Sequence, residues 1–155
     1  MARCNLDHVT VHRWGKSEKV DLLAKIPLFE ACSRRDLAQV AEIGVEAELA
    51  AGSVLTRQDH DGALAFVVLE GEVEVTRGDQ VLGTLGPGDM AGELSLIDGR
   101  PRSANVAATT DVRVLQIASE DFESLLDHSP QFTKNLLRSL SHRIRDMDER
   151  WRNAL

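Results

Sequence analysis

With 155 residues, 43% of them apolar, the chain has the length of a single domain and can bury an ordinary core without metals or disulfides. A formal net charge of −7 argues against nucleic-acid binding by bulk electrostatics, and no run approaches the roughly eighteen apolar residues of a membrane span. The two cysteines, Cys4 and Cys32, have no CxxC spacing, so no metal site or disulfide framework is expected and a reducing cytoplasm is the expected home.

Residues 1–17 show no sustained period and read as an N-terminal arm. His8 and His12 stand one helical turn apart, but Val9, Thr10 and Val11 between them are poor helix formers, so both histidines read as structural or solvent-exposed. With Ser17 as N-cap, a helix begins whose apolar face holds Val20, Leu22 and Leu23, and Pro27 stops it. Ser33 caps a second helix, in which Leu37, Val40, Ala41 and Ile43 recur at helical spacing up to Gly44.

Between residues 45 and 117 the period shifts toward two and glycines interrupt it repeatedly. Strands are expected near 46–50, 53–57, 64–70, 72–77, 80–85, 103–109 and 112–117, with a turn at Gly78-Asp79. Seven or eight short strands at this spacing predict a sandwich or jelly roll, a mainly β fold with flanking helices. Val73 and Val75 then face inward while Glu72, Glu74 and Thr76 face outward, which makes the charged side a barrel wall. Ser119 opens a short helix through Phe122, Leu125 and Leu126, and Pro130 suits the first turn of a last helix. In that helix Phe132, Leu136, Leu137, Leu140, Ile144, Met147, Trp151 and Leu155 recur every three or four residues. One domain is expected over 18–155, with helices at 18–44, a barrel at 45–117 and C-terminal helices at 118–155.

The segment from Ala91 to Val106 carries the chemistry. Gly92 lets a ligand approach the backbone, Glu93 offers two acceptor oxygens, and Arg102 offers a planar fork of donors suited to phosphate. Between them lies room for about one helical turn, whose free N–H groups favour an anion. Such a set suits a small ligand with both a hydroxyl and an anion. No Ser-His-Asp, Cys-His or HExxH arrangement exists, and clustered histidines are lacking, so an enzyme is not expected.

Gly88, Asp89, Gly92, Glu93, Leu94, Pro101, Arg102, Ser103 and Ala104 together resemble the phosphate-binding cassette of the cyclic-nucleotide-binding domain family. Ala91 departs from the bulkier residue that many relatives carry there. The resemblance implies an eight-stranded β jelly roll, a double-stranded β-helix, with a 3′,5′-cyclic nucleotide as ligand and no metal. On that reading Arg102 holds the phosphate together with N–H groups of the short helix, where Ser95 also belongs, and Glu93 accepts the ribose 2′-hydroxyl. Gly92 and Ala104 keep the backbone close, Ser103 reaches the phosphate or the base, and Leu94 and Val81 form apolar walls. Family members close the pocket from the last helix, where Arg143, Met147 and Trp151 are the base-lid candidates. The alternative is that Trp151 covers the barrel or a dimer seam. Cyclic AMP is expected from its prevalence as a ligand of the family, with cyclic GMP open.

Leu137, Leu140, Ile144, Met147, Trp151 and Ala154 form an a/d series that suggests a homodimer, although packing on the chain's own barrel would use the same stripe. The expectation is a stand-alone cytoplasmic sensor or buffer that signals to an unidentified protein through movement of its flanking helices, with neither nucleic acid nor membrane as partner. The alternative is a regulatory domain cut from a larger transcription regulator, channel or enzyme.

Overall fold

The computed structural model describes residues 15–153, so the arm as far as residue 14, with Cys4, His8 and His12, and the final Ala154 and Leu155 lie outside the described residues. Helix α1 (Lys16–Ala24) leads through a 3₁₀ turn at Pro27–Phe29 to α2 (Arg34–Ile43). The α1 cap is Gly15 rather than Ser17: the Gly15 carbonyl accepts from Lys19 N at 3.1 Å, which closes the first turn two residues early and leaves Ser17 inside it. Ser33 caps α2 as expected, its hydroxyl accepting from Asp36 N at 3.1 Å.

Eight strands follow: β1 (Val45–Leu49), β2 (Val54–Thr56), β3 (Leu64–Glu70), β4 (Val73–Arg77), β5 (Gln80–Leu85), β6 (Met90–Ala91), β7 (Asn105–Ala108) and β8 (Val112–Ala118). They form two antiparallel four-stranded sheets, ordered β1-β8-β3-β6 and β2-β7-β4-β5, which make the β jelly roll. Only β6 escaped the sequence reading, because two residues between glycine turns carry no period. The short helix α3 (Glu93–Asp98) interrupts the barrel between β6 and β7, and α4 (Ser119–His128) and α5 (Pro130–Asn153) complete the chain.

The two-residue period of the strands sorts the core into two layers. Phe66 and Val68 of β3 and Val112 and Val114 of β8 point into the barrel with Leu55, Val73 and Val106. Ala65 and Val67, with Leu115 and Ile117, point outward and are covered by the helices. A run buried on both faces explains why β3 reads as continuously apolar where β4 alternates. Phe132 seats the first turn of α5 on this outer layer, stacked on Phe29 at 5.7 Å between ring centroids and edge-on to Phe122 at 6.2 Å. Asn135 locks the same turn, donating to the carbonyls of Leu28 at 2.9 Å and Glu30 at 2.8 Å. Beyond Leu140, which packs against the outer layer, α5 leaves the core and its surface is mostly exposed.

Candidate functional site

Arg102 lies between α3 and β7, and its backbone is tied to the loop before β3. Arg102 N donates to the His60 carbonyl and Asp59 N donates to the Arg102 carbonyl, both at 2.9 Å. The side chain folds inward and is only 6% exposed. Nη1 donates to the Gly92 carbonyl at 2.8 Å and Nη2 to the Leu64 carbonyl at 2.7 Å, so the barrel backbone fixes the plane of the fork.

Two glycines make room for that guanidinium. A Cβ at Gly62 would lie 1.9 Å from Arg102 Nε, and one at Gly92 would lie 2.7 Å from Nη1. Gly92 also has φ of +81°, a left-handed conformation that only glycine adopts cheaply at the N-cap of α3. The sequence reading gave Gly92 to the approach of a ligand; the group that fills the space is the Arg102 side chain. Nothing in the strand pattern marks Gly62 for this role, and Leu64 acts through its carbonyl, which no side-chain pattern reveals.

Glu93 opens α3 and is 1% exposed. Its Oε1 pairs with Nη1 of Arg143 on α5, and Nη2 of the same guanidinium donates to the Met90 carbonyl. Burial pushes the Glu93 carboxyl above its ordinary value near 4.5, while the charge of Arg143, hydrogen bonding and the charge of Arg102 pull it down without cancelling the rise. The residue expected to receive a ribose hydroxyl is therefore already engaged by a residue expected at the base.

The remaining candidates are distributed around this pair. Ser95 and Ala104 are buried, and the Ala104 carbonyl accepts from Thr56 Oγ1 at 3.0 Å. Ser103 is exposed, and its carbonyl accepts from Arg77 Nε at 2.9 Å. Leu94 is exposed on α3, and Val81 is 56% exposed on β5. Of the three residues expected over the base, only Arg143 meets the cassette; Met147 is exposed and Trp151 is 67% exposed. Arg150, which the sequence reading passed over, donates to the Leu82 carbonyl of β5. The expected single apolar stripe on α5 also divides. Phe132, Leu136 and Leu140 turn to the chain's own core, while Leu137, Ile144, Met147 and Trp151 remain exposed. Among the described residues no helix is long and apolar enough to cross a membrane.

A jelly roll that sets a buried arginine and a buried glutamate around a glycine-opened helical turn has the architecture of a small-ligand-binding domain. Residues 46–129, more than half of the chain, match the family model of the cyclic nucleotide-binding domain, and the chain belongs to that family. A cyclic nucleotide-gated potassium channel of Mesorhizobium japonicum is 37% identical over 113 residues, which are 73% of this chain and 31% of the channel. Among solved structures, a cyclic nucleotide-binding domain from Methylobacillus flagellatus superposes with a TM-score of 0.74 at 25% identity, covering 90% of this chain and 84% of that one. A PfPKA-R fragment with cyclic AMP bound has a TM-score of 0.76 at 20% identity, covering 86% of this chain and 46% of that one, and shows the shared fold. The chain spans about a third of the length of the first curated relatives it matches.

Proposed function

We propose that this cyclic nucleotide-binding domain takes cyclic AMP between α3 and β7 and passes occupancy on through α5. The observation that carries the reading is the pair of buried opposite charges at either end of one short segment, Arg102 fixed by backbone carbonyls and Glu93 at the start of α3. A cyclic phosphate bears one negative charge, which Arg102 neutralises where water is scarce, with the backbone beside Gly92 close by. Glu93 would repel that charge, so its partner is the ribose 2′-hydroxyl. Ser103 and Ser95 supply hydroxyls near the phosphate, Ala104 keeps the strand close, and Leu94 and Val81 offer apolar surface to the base or sugar. Cyclic AMP is taken before cyclic GMP from its prevalence as a ligand of the family, and the two nucleotides are the two arms of the test.

The domain is read as a sensor rather than a catalyst, at work in the cytoplasm, with its partner unidentified. Similarity to one third of a gated channel favours a regulatory module within a larger assembly as strongly as a free-standing sensor or buffer. Of the base-lid candidates, Arg143 belongs to the pocket. Leu137, Ile144, Met147 and Trp151 keep heptad spacing on an exposed face and suit the same helix of a second copy.

Calorimetric titration with cyclic AMP and cyclic GMP tests the reading. Arg102→Ala is expected to weaken binding by at least about thirtyfold, on the order of 2 kcal/mol for a buried charged partner. Absence of affinity for either nucleotide in the unaltered protein, or an Arg102→Ala variant that binds as well, overturns it.

A further inference from the structure

The residues that follow Arg102 are held by polar hooks from two other parts of the barrel. Arg77 Nε at the end of β4 donates to the Ser103 carbonyl at 2.9 Å, and Thr56 Oγ1 donates to the Ala104 carbonyl at 3.0 Å. Gln58 N donates to Asn105 Oδ1 at 2.8 Å. The Gln58 side chain also accepts from Gly78 N at 2.8 Å, which ties the β4–β5 turn to the same loop. Arg77, next to that turn, therefore leaves β4 from a fixed stretch of backbone.

Strand period places the Arg77 side chain. Val73 is buried in the barrel and Val75 packs against the same cluster, so Arg77, two residues further on, takes the inward-facing position at the end of β4. Thr76 pairs with Asn105, which brings Arg77 alongside Ala104 of the cassette. A cation at an inward position ordinarily has a carboxylate partner. Arg77 is exposed, and among the described residues it forms no ion pair and bonds through Nε alone, which leaves Nη1 and Nη2 without an acceptor. Arg102 is the reverse case, since both of its terminal nitrogens already donate to barrel carbonyls. A guanidinium engaged at both ends of its fork has fewer donors for a ligand than one engaged only at Nε.

We infer that Arg77 is a second ligand-binding arginine of this pocket, steered by the Ser103 carbonyl so that its terminal nitrogens meet the anion that Arg102 receives. The inference rests on the cyclic-nucleotide reading and adds a residue from outside the cassette to the phosphate end of the site. The two arginines divide the task. Arg102 is buried and immobile and fixes where the anion sits, while Arg77 approaches from the exposed mouth with a planar pair of donors matched to phosphate oxygens. The carbonyl that orients Arg77 belongs to the residue directly after Arg102, so both guanidiniums are referred to one short piece of chain.

The test uses Arg77→Gln in the full chain. Glutamine carries its amide nitrogen as many bonds from Cα as arginine carries Nε, so the variant keeps a donor for the Ser103 carbonyl and loses the charge and the terminal nitrogens. Titration with cyclic AMP at low salt is expected to show affinity about threefold to fivefold weaker than in the unaltered protein, a modest effect because the guanidinium is exposed. The deficit is expected to shrink as salt is added, since an exposed charge is screened. Equal affinity at low salt overturns the inference, because Arg77 then only holds Ser103 in place; a deficit that salt does not reduce overturns it as well. Inorganic phosphate is the second probe. It is expected to raise the unfolding temperature of the unaltered protein more than that of Arg77→Gln, and equal shifts overturn the second arginine. An unaltered protein that binds neither cyclic AMP nor cyclic GMP overturns the underlying nucleotide reading, and the phosphate experiment still decides whether Arg77 takes part in an anion site.

Discussion

Arg102 and Glu93 are both buried charges on one short segment, and they are held in opposite ways. Arg102 is gripped by its surroundings: carbonyls of Gly92 and Leu64 hold the guanidinium, the loop through Asp59 and His60 holds its backbone, and two glycines leave room for it there. Glu93 is held by a side chain from the last helix, 50 residues further on. A charge fixed by barrel backbone can bind but can hardly move. A charge fixed by a distant helix links whatever meets it to that helix. On the proposed reading, binding strength and signal output are thus separated within a single cassette.

The sharpest way to break the comparison is on the Arg102 side. Gly62→Val drives a side chain into the guanidinium, and since the neighbouring backbone is tied at Asp59 and His60, the arginine and not the loop must shift. Overpacking of this kind costs about 1–3 kcal/mol of stability. Urea denaturation should show that loss, and titration should show cyclic nucleotide affinity falling with it, by roughly tenfold or more. A variant that loses stability and keeps its affinity would mean that the orientation of Arg102 is not what the ligand needs.

The Glu93 side should yield less. Arg143→Met keeps the apolar stem of the side chain and removes the cation. Because Arg143 is about a third exposed, solvent already screens the pair, and the expected loss of stability is about 1 kcal/mol. The same denaturation experiment measures it. A loss as large as that of Gly62→Val would erase the contrast between a rigid and a movable charge.

These two sides were not equally legible. The jelly roll could be read because period-two strands, glycine breaks and the Gly78-Asp79 turn are local signals, and the cassette because glycine, glutamate and arginine stand close together in sequence. What escaped is long-range. Gly62 and Leu64 serve Arg102 through space and a backbone carbonyl, and neither role has a residue-type signature. Arg143 and Arg150 are two among many charges on α5 until the fold brings them to Glu93 and to the bulge at Leu82. Apolar spacing on α5 was visible, but not its division between the core and the exposed face. Helical periodicity marks a stripe and does not say which part of it the protein covers.

A pH series sharpens the Glu93 side without touching Arg102. Just above the ordinary glutamate value near 4.5, the unfolded chain has Glu93 ionised while the folded protein, with its raised value, still binds the proton. The folded state binds more protons in that window, so this residue's contribution to stability declines as pH rises through it. Glu93→Gln should remove that slope. Arg143→Met, by deleting the strongest opposing charge, should carry the decline to higher pH. Urea midpoints for the three proteins from pH 4.5 upward decide it; parallel curves for the unaltered protein and Glu93→Gln would show that burial of Glu93 has no energetic consequence.

The smallest effect on the monomer is expected at Trp151, and it separates two uses of one indole. If Trp151 closed over the base, Trp151→Ala would weaken nucleotide binding by about 1–3 kcal/mol, the worth of stacking a base on an aromatic ring. At 67% exposure on the same face as Leu137 and Ile144, it is better placed to meet a second copy. Trp151→Ala should then leave monomer stability within about 0.5 kcal/mol and keep nucleotide affinity in dilute protein, while sedimentation equilibrium shows self-association weakened about fivefold or more. The arginine face of α5 would remain with the pocket and the apolar face with the partner, so that one helix could carry the state of Glu93 to a neighbouring subunit without either contact being shared.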